Sequence, residues 1–217
     1  MNRRNKEKLA IGVMRLSLYG VVLILAAIMA VIVIKGFSAM SWSMITQSPK
    51  GGFYLGKEGG VANAIVGSIY LAGGATLLAL LFSVPLAFAL QKEYSSGRLT
   101  YYSRLALDVL WGTPSIVYGA FGFIIMMMIG LRSSLLAGII TLALLVTPIM
   151  TRAMEEIIRM APQELKETAY ALGLTRLESS STVILRQTIG GLLTAVMLAF
   201  SRAIGDAASI LFTAGFS

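Results

Sequence analysis

Arg202 and Asp206 lie four positions apart inside an otherwise apolar stretch of this 217-residue chain. On a helix that spacing puts them on one face, where each partly neutralises the other. An arginine within a bilayer costs roughly 2.5–3.5 kcal/mol on insertion scales, so it faces a bundle interior or a water-filled path. Two roles fit: an ion pair that fixes helix orientation, or a cation beside the route of an anion. Arg152, at the end of another apolar stretch, reads as a membrane-surface anchor. Asp108 lies within one turn of Arg104 and reads as half of an interfacial pair whose arginine snorkels. The chain has no Cys and no His, which removes thiol nucleophiles, zinc sites of the usual kind and histidine acid–base chemistry. A membrane enzyme would have to use Asp108 or Asp206 as its acid, and these lie in different apolar stretches with no nucleophile or metal cluster nearby. No metal and no cofactor is expected. Gly51, Gly56 and Lys57 imitate a phosphate-binding loop, but Glu58 stands where the magnesium-holding Ser or Thr belongs.

The stretch from Pro162 to Leu185 is polar and lies between two apolar segments. Pro162 suits the first turn of a helix, Gln163 to Leu172 are good helix formers, and Gly173 can adopt the left-handed conformation that ends one. Leu165, Ala169 and Leu172 recur at i, i+4 and i+7, so one face is apolar while Glu164, Lys166 and Glu167 cluster away from it. Thr175-Arg176-Leu177-Glu178 has the form of a capping box and starts a second helix. A capped helix–turn–helix between membrane spans reads as a docking element.

These elements sit in a chain that is 57% hydrophobic and only 13% charged, too few charges to cover a soluble domain. Five spans are expected, near residues 16–34, 62–90, 105–130, 135–150 and 189–214, against a hydrocarbon core of roughly 30 Å. The fourth is short and needs Ser133, Ser134 and Thr151 within its ends. Val84-Pro85, Thr113-Pro114 and Thr147-Pro148 each predict a kink or break. The basic balance, 18 Lys and Arg against 10 Asp and Glu, is unevenly placed. Arg and Lys gather before the first span, between the second and third, and between the fourth and fifth. The positive-inside bias therefore puts the amino terminus and the polar hairpin in the cytoplasm, and nucleic-acid binding explains the charge poorly. Residues 1–60 read as a retained anchor helix, not a cleaved signal, followed by an irregular extracytoplasmic loop at 35–60. Residues 61–217 form the remaining transmembrane domain.

Glu167-Thr168-Ala169, then Gly173, then Val183-Ile184-Leu185 together resemble the coupling loop of importer-type ATP-binding cassette permeases. Arg186 stands where that loop usually has proline, and Val183 where it has isoleucine. Trp111 to Gly119, Thr147 to Arg152, Ser201 to Asp206 and Leu211 to Gly215 resemble the phosphate-transporter branch, over roughly residues 60–217. The resemblance implies an all-α polytopic bundle of the type I importer permease kind, multi-pass in the inner or plasma membrane among its lipids. It implies ATP-binding subunits, a second permease subunit and an extracytoplasmic phosphate-binding protein as partners, and no enzyme activity of the chain itself. Arg202, Asp206 and Arg152 would line the substrate path; the family commonly has Glu where this chain has Asp206. Glu167, Thr168, Ala169, Gly173 and Leu185 would serve the coupling loop, which spans 152–188. Such permeases normally have six spans, so a sixth is expected to be missing here. The same architecture and positive charge would also suit sulfate, molybdate or tungstate.

Overall fold

A computed structural model describes residues 3–37, 40–49, 59–95 and 97–215, and every regular element among them is helical. The chain divides into two compact units, Met1–Asn63 and Ala64–Ser217. In the first, helix α1 (Arg3–Phe37) opens with the charged stretch Arg3 to Lys8, is mainly apolar from Leu9 onward, and is exposed from Arg4 to Phe37. Within the expected irregular loop a short helix, α2 (Trp42–Thr46), forms instead. Ser41 caps it by accepting from the Met44 amide at 3.2 Å, and the returning chain donates from Val61 to the Met44 carbonyl. The phosphate-loop look-alike at Gly51 to Glu58 falls outside the described residues.

The second unit is built on α6 (Leu135–Arg159), the most buried helix. Ser134 starts it by accepting from the Ala137 amide, and it runs nine residues past the expected end at 150. Its Leu142, Val146, Met150, Met154 and Ile158 meet alanines of the two helices beside it. These are Ala72, Ala75 and Ala79 of α3 (Ala62–Ala89), and Ala195, Ala199 and Ala203 of α9 (Leu185–Gly205). On α9 the small side chains let its backbone approach α6 closely, and such packing is one source of association energy where lipid is as apolar as leucine. At Gly191 an added Cβ would lie 2.6 Å from Ile157.

Of the three prolines only one breaks its helix. Pro85 and Pro148 stay inside α3 and α6, where packing outweighs one lost backbone bond. At Pro114 the expected single span becomes two helices, α4 (Arg98–Gly112) and α5 (Ser115–Met128), bent by 100°. Thr113 takes the extended conformation that a following proline favours. The freed carbonyls find side chains: Thr113 Oγ1 donates to Val109 and Tyr118 Oη to Leu110. Among the described residues four helices are long and apolar enough to span a membrane, or five if the bent pair counts as one span. The last of these differs from expectation at its end: α9 stops at Gly205, and residues 206–214 form turns where helix was expected to reach 214.

Candidate transport path and coupling hairpin

The hairpin forms as its sequence dictates. Pro162 precedes α7 (Gln163–Ala171), and Gly173 ends the turn at φ +83°. The Leu174 amide returns to the Ala169 carbonyl at 3.1 Å, so the left-handed glycine closes a helix stop. Both halves of the capping box are present: Thr175 Oγ1 accepts from the Glu178 amide, and Glu178 Oε2 accepts from the Thr175 amide at 2.8 Å. Helix α8 (Arg176–Glu178) passes through a π-helical segment, Ser179–Ile184, into α9 without interruption. The hairpin's second arm is thus continuous with the last membrane helix.

The apolar stripe read from the sequence divides. Ala169 is buried and Leu165 half-buried, but Leu172 is 75% exposed. Met160 and Leu177 are likewise exposed. Glu167, Thr168 and Gly173 lie on the outside, while Leu185 packs against the core. The loop after α3 braces the hairpin. Lys166 Nζ contacts Glu93 Oε1 at 2.7 Å, Arg176 Nη1 donates to the Glu93 carbonyl at 2.6 Å, and Tyr94 Oη donates to the Arg176 carbonyl at 2.7 Å. Partial burial pushes the Glu93 carboxyl upward, but the Lys166 hydrogen bond, a backbone hydrogen bond and the charges of Lys166 and Lys92 together hold the group below its ordinary value.

Along the membrane helices the charges are arranged differently from the sequence reading. Asp206 is not on the helix face of Arg202: it follows the last turn of α9 in an extended conformation, buried, and its Oδ1 accepts from the Ser209 amide at 2.9 Å. Arg202 Nη2 still reaches Asp206 Oδ2 at 3.5 Å, with half of the arginine side chain exposed. The expected Arg104–Asp108 pair does not form. Arg104 Nε instead bonds Glu155 Oε1 at 2.6 Å and its Nη2 the Leu90 carbonyl. Asp108 belongs to Arg152, which gives it Nε at 2.8 Å and Nη2 at 3.1 Å and gives Nη1 to Glu155 Oε2 at 2.7 Å. Glu155, only 2% exposed, joins two arginines and also holds Gln91 through its backbone carbonyl. It was not singled out in the sequence, although it lies on the stripe Thr151, Glu155, Ile158, where a carboxylate needs partners.

Counted along the antiparallel α6 and α9, which are matched where Gly191 meets Ile157, Arg152 and Arg202 lie about six helical residues, or roughly 9 Å, apart in depth. The two cations therefore occupy successive levels of one helix pair. Among the described residues no group of three acidic, His or Cys side chains is placed to hold a metal.

Comparison with known proteins agrees with this architecture. Residues 79–217 match the model of the binding-protein-dependent transport system inner membrane component. The phosphate transport system permease protein PstA of Yersinia pestis is 32% identical over 97% of this chain and 71% of its own length. PstA 1 of Mycobacterium tuberculosis (strain CDC 1551 / Oshkosh) is 31% identical over 100% and 72%. A probable ABC transporter permease protein, YqgI of Bacillus subtilis (strain 168), is 31% identical over 100% and 73%. Among solved structures, an inward-facing MetNI methionine ABC transporter aligns with a TM-score of 0.62 at 16% identity, covering 67% of this chain and 70% of that one. The likeness to the solved transporter extends to the fold alone, whereas the sequence matches reach the family: the chain belongs to the binding-protein-dependent inner-membrane permease components of ATP-binding cassette importers.

Proposed function

We propose that this chain is a permease subunit of an importer that moves inorganic phosphate into the cytoplasm. The observation that carries the reading is the match to phosphate permeases over nearly the whole chain. The site chemistry supports it: Arg202 is half exposed on a membrane helix, and an anion in a low-dielectric passage needs a cation to offset its dehydration. In this reading the amino terminus and hairpin are cytoplasmic, and residues 35–60 face outward. The exposed Leu172, Leu177 and Met160 meet an ATP-binding subunit, with Glu167, Thr168 and Gly173 on the same outer side. A second permease subunit completes the bundle, and an extracytoplasmic binding protein delivers the anion. ATP is hydrolysed by the partner. Its motion enters through the hairpin and passes along the continuous α8–α9 rod to Arg202.

The test is uptake of radiolabelled phosphate by cells that rely on this importer, with unlabelled sulfate, molybdate and tungstate as competitors. Competition by phosphate alone is expected. Uptake that sulfate or molybdate suppresses as well as phosphate does assigns the path to another oxyanion.

A further inference from the structure

Arg152 offers its guanidinium to two carboxylates that differ in every respect relevant to exchange. Glu155 lies on the same helix three residues on, is 2% exposed, and is pinned from its other oxygen by Arg104. It cannot leave without stranding a buried charge. Asp108 lies on a different helix, its side chain is 48% exposed, and its side-chain hydrogen bonds among the described residues are both to Arg152. Those two bonds, from Nε and Nη2 to the two carboxylate oxygens, form the parallel fork that a phosphate offering two oxygens also fits. The carboxylate therefore occupies an anion-recognition edge.

We infer that Asp108 is a displaceable carboxylate that competes with the transported oxyanion for the fork of Arg152. The inference rests on the reading of Arg152 as part of an anion path. Arg104, Arg152, Asp108 and Glu155 sum to zero charge, so a phosphate gains little at this level while Asp108 stays in place. Asp108 rides on α4, one arm of the 100° bend at Thr113-Pro114, whereas Arg152 and Glu155 move together on α6. Displacement of α4 against α6 opens the fork, and its return expels the anion. That cycle supplies the weak, reversible holding that conduction requires. Asp108 is thus a positioning residue for release, not part of the bundle's packing.

The test uses the complete importer in proteoliposomes, with labelled phosphate and, in parallel, labelled sulfate. Asp108→Asn is expected to raise phosphate retained by the importer in the absence of binding protein, and to lower turnover, each about tenfold. Asp108→Glu should restore parental values, and Arg152→Gln added to Asp108→Asn should abolish the extra retention. Unchanged retention and turnover in an assembled Asp108→Asn importer overturns the inference. If Asp108→Asn does not assemble, the swapped pair Asp108→Arg with Arg152→Asp decides. Parental transport by the swap, or its own failure to assemble, makes the pair structural and overturns the inference; assembly without anion transport upholds it. Should the parental importer carry sulfate and not phosphate, the phosphate reading fails separately, and the same variants read exchange with sulfate.

Discussion

Arg202 and Arg152 carry the same charge in different company. Arg152 spends three of its donors on two carboxylates, while Arg202 has one carboxylate contact, at 3.5 Å, and half its side chain free. Arg202 is therefore the cation with unspent attraction for an anion. Arg202→Gln is expected to lower phosphate uptake by about tenfold to hundredfold, the loss of one charge-assisted contact, while the complex assembles and hydrolyses ATP. Uptake assays beside ATPase assays on the same preparation check this; parental uptake would make the Arg202–Asp206 contact merely structural. The cation itself was legible in the sequence because an arginine within an apolar span has few explanations. Its partner's geometry was not. Helical spacing placed Asp206 on one face with Arg202, but the chain leaves the helix at Gly205 and Asp206 caps the following turn. The Arg104–Asp108 expectation failed for a related reason. A local pair one turn apart lost to partners 51 and 44 residues away, which only the packing of α4 on α6 brings near.

At the scale of elements, local chemistry decided the hairpin and tertiary contacts decided the spans. The glycine stop and the capping box are sequence-local devices, and both stand where the residues put them. Gly173 has open space around it, so a side chain would meet no neighbour, but its φ of +83° is unfavourable for a β-branched residue by about 1–2 kcal/mol. Gly173→Val is expected to loosen the turn between α7 and α8 and uncouple hydrolysis from uptake. The ratio of phosphate transported to ATP consumed should fall, and an unchanged ratio would remove the hairpin from the coupling route. The prolines show where local reading runs out. All three predict a kink, yet only Pro114 breaks its helix; its freed carbonyls find partners in Thr113 and Tyr118. Pro148 is enclosed by the core of α6 and stays helical. The π segment at Ser179–Ile184 has no signature in its residues that we could read.

For the whole molecule, apolar length and charge asymmetry carried the membrane assignment before any helix was seen, since 13% charged residues cannot dress a soluble surface. The same asymmetry predicts the cytoplasmic amino terminus and hairpin of the proposed function. With no native cysteine, single replacements at Ser48 and Arg98 test it: an impermeant thiol reagent added outside intact cells should label position 48 and spare position 98. Labelling of 98 alone would invert the topology and place the hairpin outside. The central claim is energised, selective translocation through this chain. It is tested most directly by reconstituting the importer with its partners in proteoliposomes and measuring labelled phosphate inside against outside. Accumulation above the external concentration that requires both ATP and phosphate-loaded binding protein is expected. Phosphate that merely equilibrates, or accumulation of sulfate or molybdate in its place, would contradict it.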